Sequence, residues 1–150
     1  MLKPDKAHVR SLKLFHNLAA ICVHDGEEKF GFSLFDFQTG KSIRTIDNIT
    51  SAVFNADGSR IIATNNLHDE HILVLNGQNA ELLSSMTITF PGLHPDITVD
   101  KYRLFSIERI KDGSYLAFGA YYRKQDKFDK NEGKTMLFFL GNQIDEHTTF

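Results

Sequence analysis

The sequence predicts an all-β, antiparallel fold, and three observations predict it. The apolar segments are short, they are drawn from strand-favouring residues, and turn dipeptides separate them. LAAICV (18–23), FGFSLFDF (30–37), SIRTI (42–46), ITSAVF (49–54), RIIAT (60–64), HILVL (71–75), LFSIERI (104–110), YLAFGA (115–120) and TMLFFL (135–140) each run five to eight residues. They are rich in Ile, Val, Phe, Tyr and Thr, which suit a pleated, half-buried surface. Between them stand Asp25-Gly26, Thr39-Gly40, Asp57-Gly58, Asn76-Gly77, Asp112-Gly113 and Gly141-Asn142. Glycine reaches positive φ without a Cβ penalty, and Asp or Asn bonds its own turn backbone. Short strands punctuated in this way pair as hairpins and not through helical crossovers.

Along the chain, KPDKAHVRSLKLF (3–15) places Val9, Leu12 and Phe15 three apart, a spacing that suits a short helix as well as a strand. LAAICV holds the single cysteine, Cys22, as a small apolar residue. FGFSLFDF alternates Phe30, Phe32 and Leu34 on one face, with Phe35 and Phe37 on the other, so this strand is expected to be buried on both sides. QNAELLSSM (78–86) is less apolar and reads as an outer strand. PGLHPD (91–96) holds two of the three prolines and reads as a connection between repeats, with His94 solvated or structural.

Composition sets bounds on function. The 150 residues point to one domain with room for a substantial core. Hydrophobic residues make up 41% and charged residues 24%, ordinary globular values. A net charge of −2 gives no global field towards nucleic acid or acidic membranes. One cysteine excludes an internal disulfide framework and fits a reducing compartment. No apolar run approaches a membrane span, and MLKPDKAHVRSLKLF lacks the apolar core and cleavage site of a secretory signal. A cytoplasmic protein is therefore expected. Thirteen Phe and no Trp supply large apolar area without a polar handle.

Internal repetition organises these strands. AVFNADGSRIIATN and IERIKDGSYLAFGA share an apolar strand, DGS and a second strand ending in small residues. FSLFDFQTGKSIRTI (32–46) matches ILVLNGQNAELLSS (72–85), with Phe35 and Leu75 standing 40 residues apart. TMLFFLGNQIDEHTTF (135–150) is a third copy, whose Phe139 stands 64 residues beyond Leu75 because of an insertion near 121–134.

These units resemble the blades of WD-repeat β-propellers. LFDFQTGKSIRTI is similar to the family's third strand, turn and fourth strand, with Phe35-Asp36 at the Trp-Asp position. Leu75-Asn76 and Phe139-Leu140 replace that pair later in the chain, Asp69 sits where the family's hairpin Asp often lies, and the usual Gly-His pair is absent. The resemblance implies antiparallel four-stranded blades, roughly 1–47, 48–100 and 101–150, stacked face to face. Propellers usually have four to eight blades. Three leave two apolar end faces, so completion by a second copy, by a partner chain or within a longer protein is expected. A compact three-sheet or sandwich packing is the alternative arrangement.

The resemblance implies a non-enzymatic protein-interaction scaffold. The alternatives are a structural subunit of a larger propeller, or a ligand-binding or hydrolytic propeller whose site needs the whole ring. The most distinctive segment outside the strands is YYRKQDKFDKNEGK (121–134), expected as a solvated hairpin loop. Its Tyr121, Tyr122, Arg123, Lys124, Lys127 and Phe128 are the candidate partner contacts, since loops on rigid sheets carry function. Asp126, Asp129 and Glu132 offset most of its charge, which argues against nucleic acid. HDEH (68–71) offers two His and two acids, but no distant His or Cys cluster completes a metal site. Asp57, Gly58, Asp69, Asp112 and Gly113 are assigned to structural turns. No phosphate loop, GxSxG motif or catalytic triad spacing is present, so no catalytic residue, cofactor or metal is assigned.

Overall fold

Strand pairing follows the turn dipeptides. The computed structural model describes residues 7–26, 29–65, 72–86, 101–110, 113–125 and 130–141, with the backbone alone at 101–103, 120–125 and 130–141. The described strands are β1 (His8–Phe15), β2 (Leu18–His24), β3 (Phe30–Asp36), β4 (Lys41–Asp47), β5 (Ile49–Phe54), β6 (Arg60–Asn65), β7 (Ile72–Asn76), β8 (Leu82–Met86), β9 (Lys101–Arg109), β10 (Tyr115–Gln125) and β11 (Lys130–Gly141). They form three sheets, ordered β1-β2-β3-β4, β5-β6-β7-β8 and β11-β10-β9, with every neighbouring pair antiparallel. The chain is all-β and built of propeller-like antiparallel sheets.

The segment that suited either a helix or a strand is a strand, and its spacing of three has a simple origin. The register of β1 against β2 shifts between Val9 and Ser11, which leaves Arg10 as a bulge residue. One extra residue returns Val9 and Leu12 to the same face. Phe15 departs from that face and packs against the second sheet, with its ring 5.7 Å from Phe54.

The sheets stack through two apolar layers. The first contains Ala20, Cys22, Phe32 and Leu34 of the first sheet against Ala52, Phe54, Ile61, Ala63, Leu73 and Leu75 of the second. The second contains Val53, Ile62, Ile72 and Val74 against Leu104, Ile107, Tyr115 and Ala117 of the third. All six residues of β5 are buried, so the middle sheet is covered on both faces. Each large apolar side chain buried here contributes about 1.5–3 kcal/mol.

The expectation that FGFSLFDF is buried on both sides is corrected. Phe32 and Leu34 are buried, but Phe35 is half-buried and Phe37 is 49% exposed. Among the described residues the first sheet has a neighbouring sheet on one side, and the Phe35 face is turned away from it.

The first strands of the three sheets adjoin, with β5 between β1 and β9. Polar groups join β5 to β9 within the apolar layer. Thr50 Oγ1 lies 2.6 Å from Thr64 Oγ1 and 3.0 Å from the Leu104 carbonyl oxygen, and Ile107 N–H donates to Ser51 Oγ at 3.3 Å. Buried hydroxyls need such partners; Thr64 supplies one from the same sheet, and Leu104 and Ile107 supply the others from the neighbouring sheet.

The repeat is visible atom by atom in one turn. Asp36 Oδ1 accepts from Gln38 N at 3.0 Å and Thr39 N at 3.3 Å, and Asn76 Oδ1 accepts from Gln78 N at 2.8 Å and Asn79 N at 3.3 Å. Gly40 N and Ala80 N close the two turns on the carbonyls of Asp36 and Asn76, at φ of 74° and 58°. Nothing lies within 4 Å of a Cβ built on Gly40, so conformation alone opposes a side chain there. Gly40→Ala is expected to lower unfolding free energy by about 1 kcal/mol, measured by urea denaturation followed by circular dichroism. An unchanged midpoint would remove the left-handed requirement.

The DGS correspondence holds through the glycine and then slips. Gly58 N and Gly113 N each donate at 3.1 Å to the carbonyl three residues back, Asn55 and Ile110. Asn55 N then pairs with Arg60 O, five residues on, whereas Ile110 N pairs with Ser114 O, four residues on. The equivalents of Ile61 and Ile62 are thus Tyr115 and Leu116, one position earlier than the DGS alignment places them. Tyr115 and Ala117 consequently face the second sheet, and Leu116 and Phe118 face away from it.

Candidate interaction faces

The outward face of the first sheet exposes several apolar side chains. Val9 pairs with Val23, Leu12 with Ile21 and Leu14 with Ala19, all on the face away from the second sheet. Val9 is 66%, Leu12 54% and Leu14 61% exposed, and Ile21, Val23 and Phe35 beside them are half-buried. A surface notch of about 240 Å³ opens on this sheet, lined by Ile21, Val23, Gly31, Phe32, Ser33, Thr45, Ile46 and Asp47. Gly31 stands between Val23 and Asp47 in register and has no side chain to fill it.

At the far end of the stack, the outward face of the third sheet shows Phe118, 38% exposed, with the Phe105 ring centroid 6.2 Å away and Leu116 half-buried.

A second feature lies where the first strands adjoin. An open cleft of about 260 Å³ is lined by Lys13, Leu14, Phe15, Val53, Phe54, Asn55, Ala56, Glu108 and Arg109. Lys13 Nζ bonds both oxygens of Glu108, at 2.7 and 2.9 Å, bridging β1 to β9. Arg10 reaches the same strand, donating from Nη2 to the Phe105 carbonyl at 3.2 Å, while its guanidinium carbon lies 5.1 Å from the Phe30 ring centroid. The bulge that displaces Arg10 from the β1 register lies on this side of the strand.

The residues singled out in the sequence distribute unevenly over these features. Tyr121, Tyr122, Arg123 and Lys124 lie on β10, paired with Lys134, Gly133, Glu132 and Asn131 of β11. The expected loop over 121–134 is therefore corrected to a long hairpin, with strand pairing continuing to Gln125 and Lys130. Lys127 and Phe128 lie outside the described residues, as do Asp69, Asp112, His68, His71 and His94. Asp57 and Gly58 form a turn, with Asp57 Oδ1 accepting from Ser59 Oγ at 2.6 Å and Ser59 N at 2.9 Å, and Gly113 is at φ 86°.

These turn bonds set the acidity of their carboxyls. The Ser59 hydroxyl and N–H hold Asp57 below the usual carboxylate range, and the Asn17 side chain, with the N–H groups of Thr39 and Gln38, does so for Asp36. Both carboxylates serve the backbone. Burial pushes the Cys22 thiol up to about 11, so it is protonated at neutral pH and packs as a small apolar group.

Sequence reasoning anticipated exposed end faces without naming Val9, Leu12 and Leu14. The signal was present in HVRSLKLF, but an unassumed bulge concealed its period. Lys13 and Glu108 stand 95 residues apart, and no local pattern could have joined them.

No protein-family model and no curated protein sequence matches the chain. Solved structures do. The dihydro-heme d1 dehydrogenase NirN in complex with DHE matches with a TM-score of 0.54 and 13% identity, over 84% of this chain and 27% of that one. An acylaminoacyl peptidase in complex with Z-Gly-Gly-Phe-chloromethyl ketone matches with a TM-score of 0.54 and 14% identity, over 91% of this chain and 24% of that one. KlHsv2 with loop 6CD replaced by a Gly-Ser linker matches at 0.45 and 14%, over 87% and 44%. The dehydrogenase and the peptidase are β-propeller proteins. The chain spans about a quarter of the length of the first two, and at this identity the likeness concerns the fold.

Proposed function

We propose that the chain is a non-enzymatic interaction scaffold, built from WD-repeat-like blades and completed through its uncovered sheet faces by self-association or a partner chain. One observation carries this reading. The middle sheet is buried on both faces, while the first sheet exposes Val9, Leu12 and Leu14 by more than half on a face of the same apolar character. The repeated Asp36 and Asn76 turns, 40 residues apart, support the WD-like reading of the blades. The β10–β11 hairpin carrying Tyr121, Tyr122, Arg123 and Lys124 is a further contact element of this scaffold.

A ligand-binding or hydrolytic propeller would place its site in the cleft between first strands. Among the described residues that lining contains no serine, cysteine or histidine, and its Lys13 and Glu108 form an ion pair. The scaffold reading is therefore preferred.

The test is light scattering of the purified chain together with binding of a hydrophobic dye. Uncovered faces give either a discrete oligomer or a dye-binding monomer. A folded monomer that binds no dye overturns the proposal.

A further inference from the structure

Asn76-Gly77 is the only asparagine–glycine pair in the sequence. Asparagine is thermolabile, and most so before glycine, which has no side chain to hinder the nitrogen that follows. Once deprotonated, Gly77 N can attack Asn76 Cγ. The N–Cγ bond forms, the Cγ–Nδ2 bond breaks, and the side-chain nitrogen leaves as ammonia with the proton that Gly77 N gave up. Water then opens the cyclic imide at either carbonyl. Breaking the new N–Cγ bond gives aspartate, and breaking the bond to the main-chain carbonyl carbon gives isoaspartate. Water enters and ammonia leaves, with no change of oxidation state.

The fold closes this route at its first step. Gly77 is buried, and its N–H donates to the Ser59 carbonyl oxygen at 2.9 Å. A buried amide held in this way gives up its proton only when the bond opens. Ring closure also needs movement that the surroundings oppose. The Gly58 carbonyl oxygen stands where a Cβ on Gly77 would lie. Asn76 Oδ1 is held by Gln78 N and Asn79 N. The Asn76 backbone is held as well, its N–H by the Glu81 carbonyl oxygen and its own carbonyl oxygen by Ala80 N, each at 2.8 Å.

The acceptor for Gly77 is itself fixed. Ser59 N and Oγ donate to Asp57 Oδ1, and Asn55 Nδ2 donates to Ser59 Oγ at 3.2 Å. The β5–β6 turn, built on Asp57, thus guards a bond in the β7–β8 turn.

The two products have different fates. The first sheet has Asp36 at the equivalent place, and its Oδ1 accepts from Gln38 N and Thr39 N in the same turn. Aspartate at position 76 therefore keeps the turn. Isoaspartate carries the main chain through the former side chain and adds a carbon between β7 and Gly77. With position 76 in register with Arg60, that carbon moves Gly77 N away from Ser59.

We infer that Asn76-Gly77 is a spontaneous modification site, with water as co-reactant, whose chemistry waits on separation of the β5–β6 and β7–β8 turns, so that isoaspartate marks a chain that has opened there.

Peptide mapping by mass spectrometry at mildly alkaline pH follows the amide-to-acid mass gain at each asparagine. In denaturing urea, Asn76 is expected to convert ahead of every other asparagine. In the folded protein its conversion is expected to be at least about 10-fold slower. Asp57→Ala releases Ser59 and is expected to speed conversion several-fold while circular dichroism shows the protein still folded. If that variant unfolds, hydrogen exchange at the Gly77 amide of the unaltered protein takes its place, and is expected to rise with temperature in step with conversion. Asn76→Asp is expected to keep the original melting temperature, and isoaspartate chains made in urea are expected not to regain it on refolding.

Slow conversion of Asn76 in urea would overturn the site. Equal rates in the folded protein and in urea would overturn the guard, as would a folded Asp57→Ala protein that converts no faster, or Gly77 exchange unrelated to conversion. A large fall in melting temperature for Asn76→Asp, or isoaspartate chains that refold to the original value, would overturn isoaspartate as the mark of opening.

Discussion

Gly77→Ala is expected to destabilise the protein by about 3 kcal/mol or more, although it adds a single methyl group. The φ of Gly77 is not in the left-handed region, so conformational freedom is not the cause. Space is. A Cβ built on Gly77 overlaps the carbonyl oxygen of Gly58 and falls 2.9 Å from the carbonyl carbons of Gly58 and Ser59. These are backbone atoms, held because Gly77 N donates to Ser59 O at 2.9 Å. That bond ties the β5–β6 turn to the β7–β8 turn at one end of the middle sheet. Admitting the methyl requires the turns to separate, which breaks the bond and displaces Gly58, itself at φ 73° with the Phe15 ring against its Cα.

The consequence reaches the first sheet, because Phe15 packs into the layer between the first two sheets. With a domain's total stability of roughly 5–15 kcal/mol, a loss of this size is visible as a fall in melting temperature of about 6–12 °C. Thermal unfolding of Gly77→Ala beside Gly40→Ala separates the two mechanisms. Equal effects would show that the Gly77–Gly58 approach is not a constraint.

The Gly58–Gly77 contact also marks where sequence reasoning stops. Both glycines announce turns, and the Asp-Gly and Asn-Gly signals placed those turns correctly. That the turns touch depends on β6 and β7 pairing in the register Arg60–Asn76, which no local signal specifies. All-β class and strand pairing were legible because alternation and turn chemistry are local properties. Burial of a given face was less so. FGFSLFDF has the composition of a doubly buried strand, yet its exposure is set by the number of sheets stacked beyond it. The 121–134 segment was misread for a related reason. Its charged and aromatic residues look like loop material, but β10 and β11 continue to pair to Gln125 and Lys130, because the ladder is made by backbone groups that every one of these residues carries. The end faces became specific only once the bulge at Arg10 fixed which of Val9, Leu12, Leu14 and Phe15 share a side.

Ile61→Ala and Ile62→Ala are expected to be equally damaging, each costing about 2–5 kcal/mol. Adjacent strand residues point to opposite faces, and in a two-layer β protein one of any such pair meets solvent, where truncation changes little. Here both side chains are fully buried. Ile61 fills the layer shared with Phe32 and Leu34, and Ile62 fills the layer shared with Leu104 and Tyr115. The two cavities would lie in separate layers, so the losses are expected to add in the double variant to within about 0.5 kcal/mol. Urea denaturation of the three variants measures this. A large loss at Ile61 with a negligible one at Ile62 would mean the third sheet does not pack on the second. The opposite pattern would detach the first sheet. Strongly non-additive losses would mean one shared core in place of two. Only equal and additive losses fit a sheet held between neighbours on both sides.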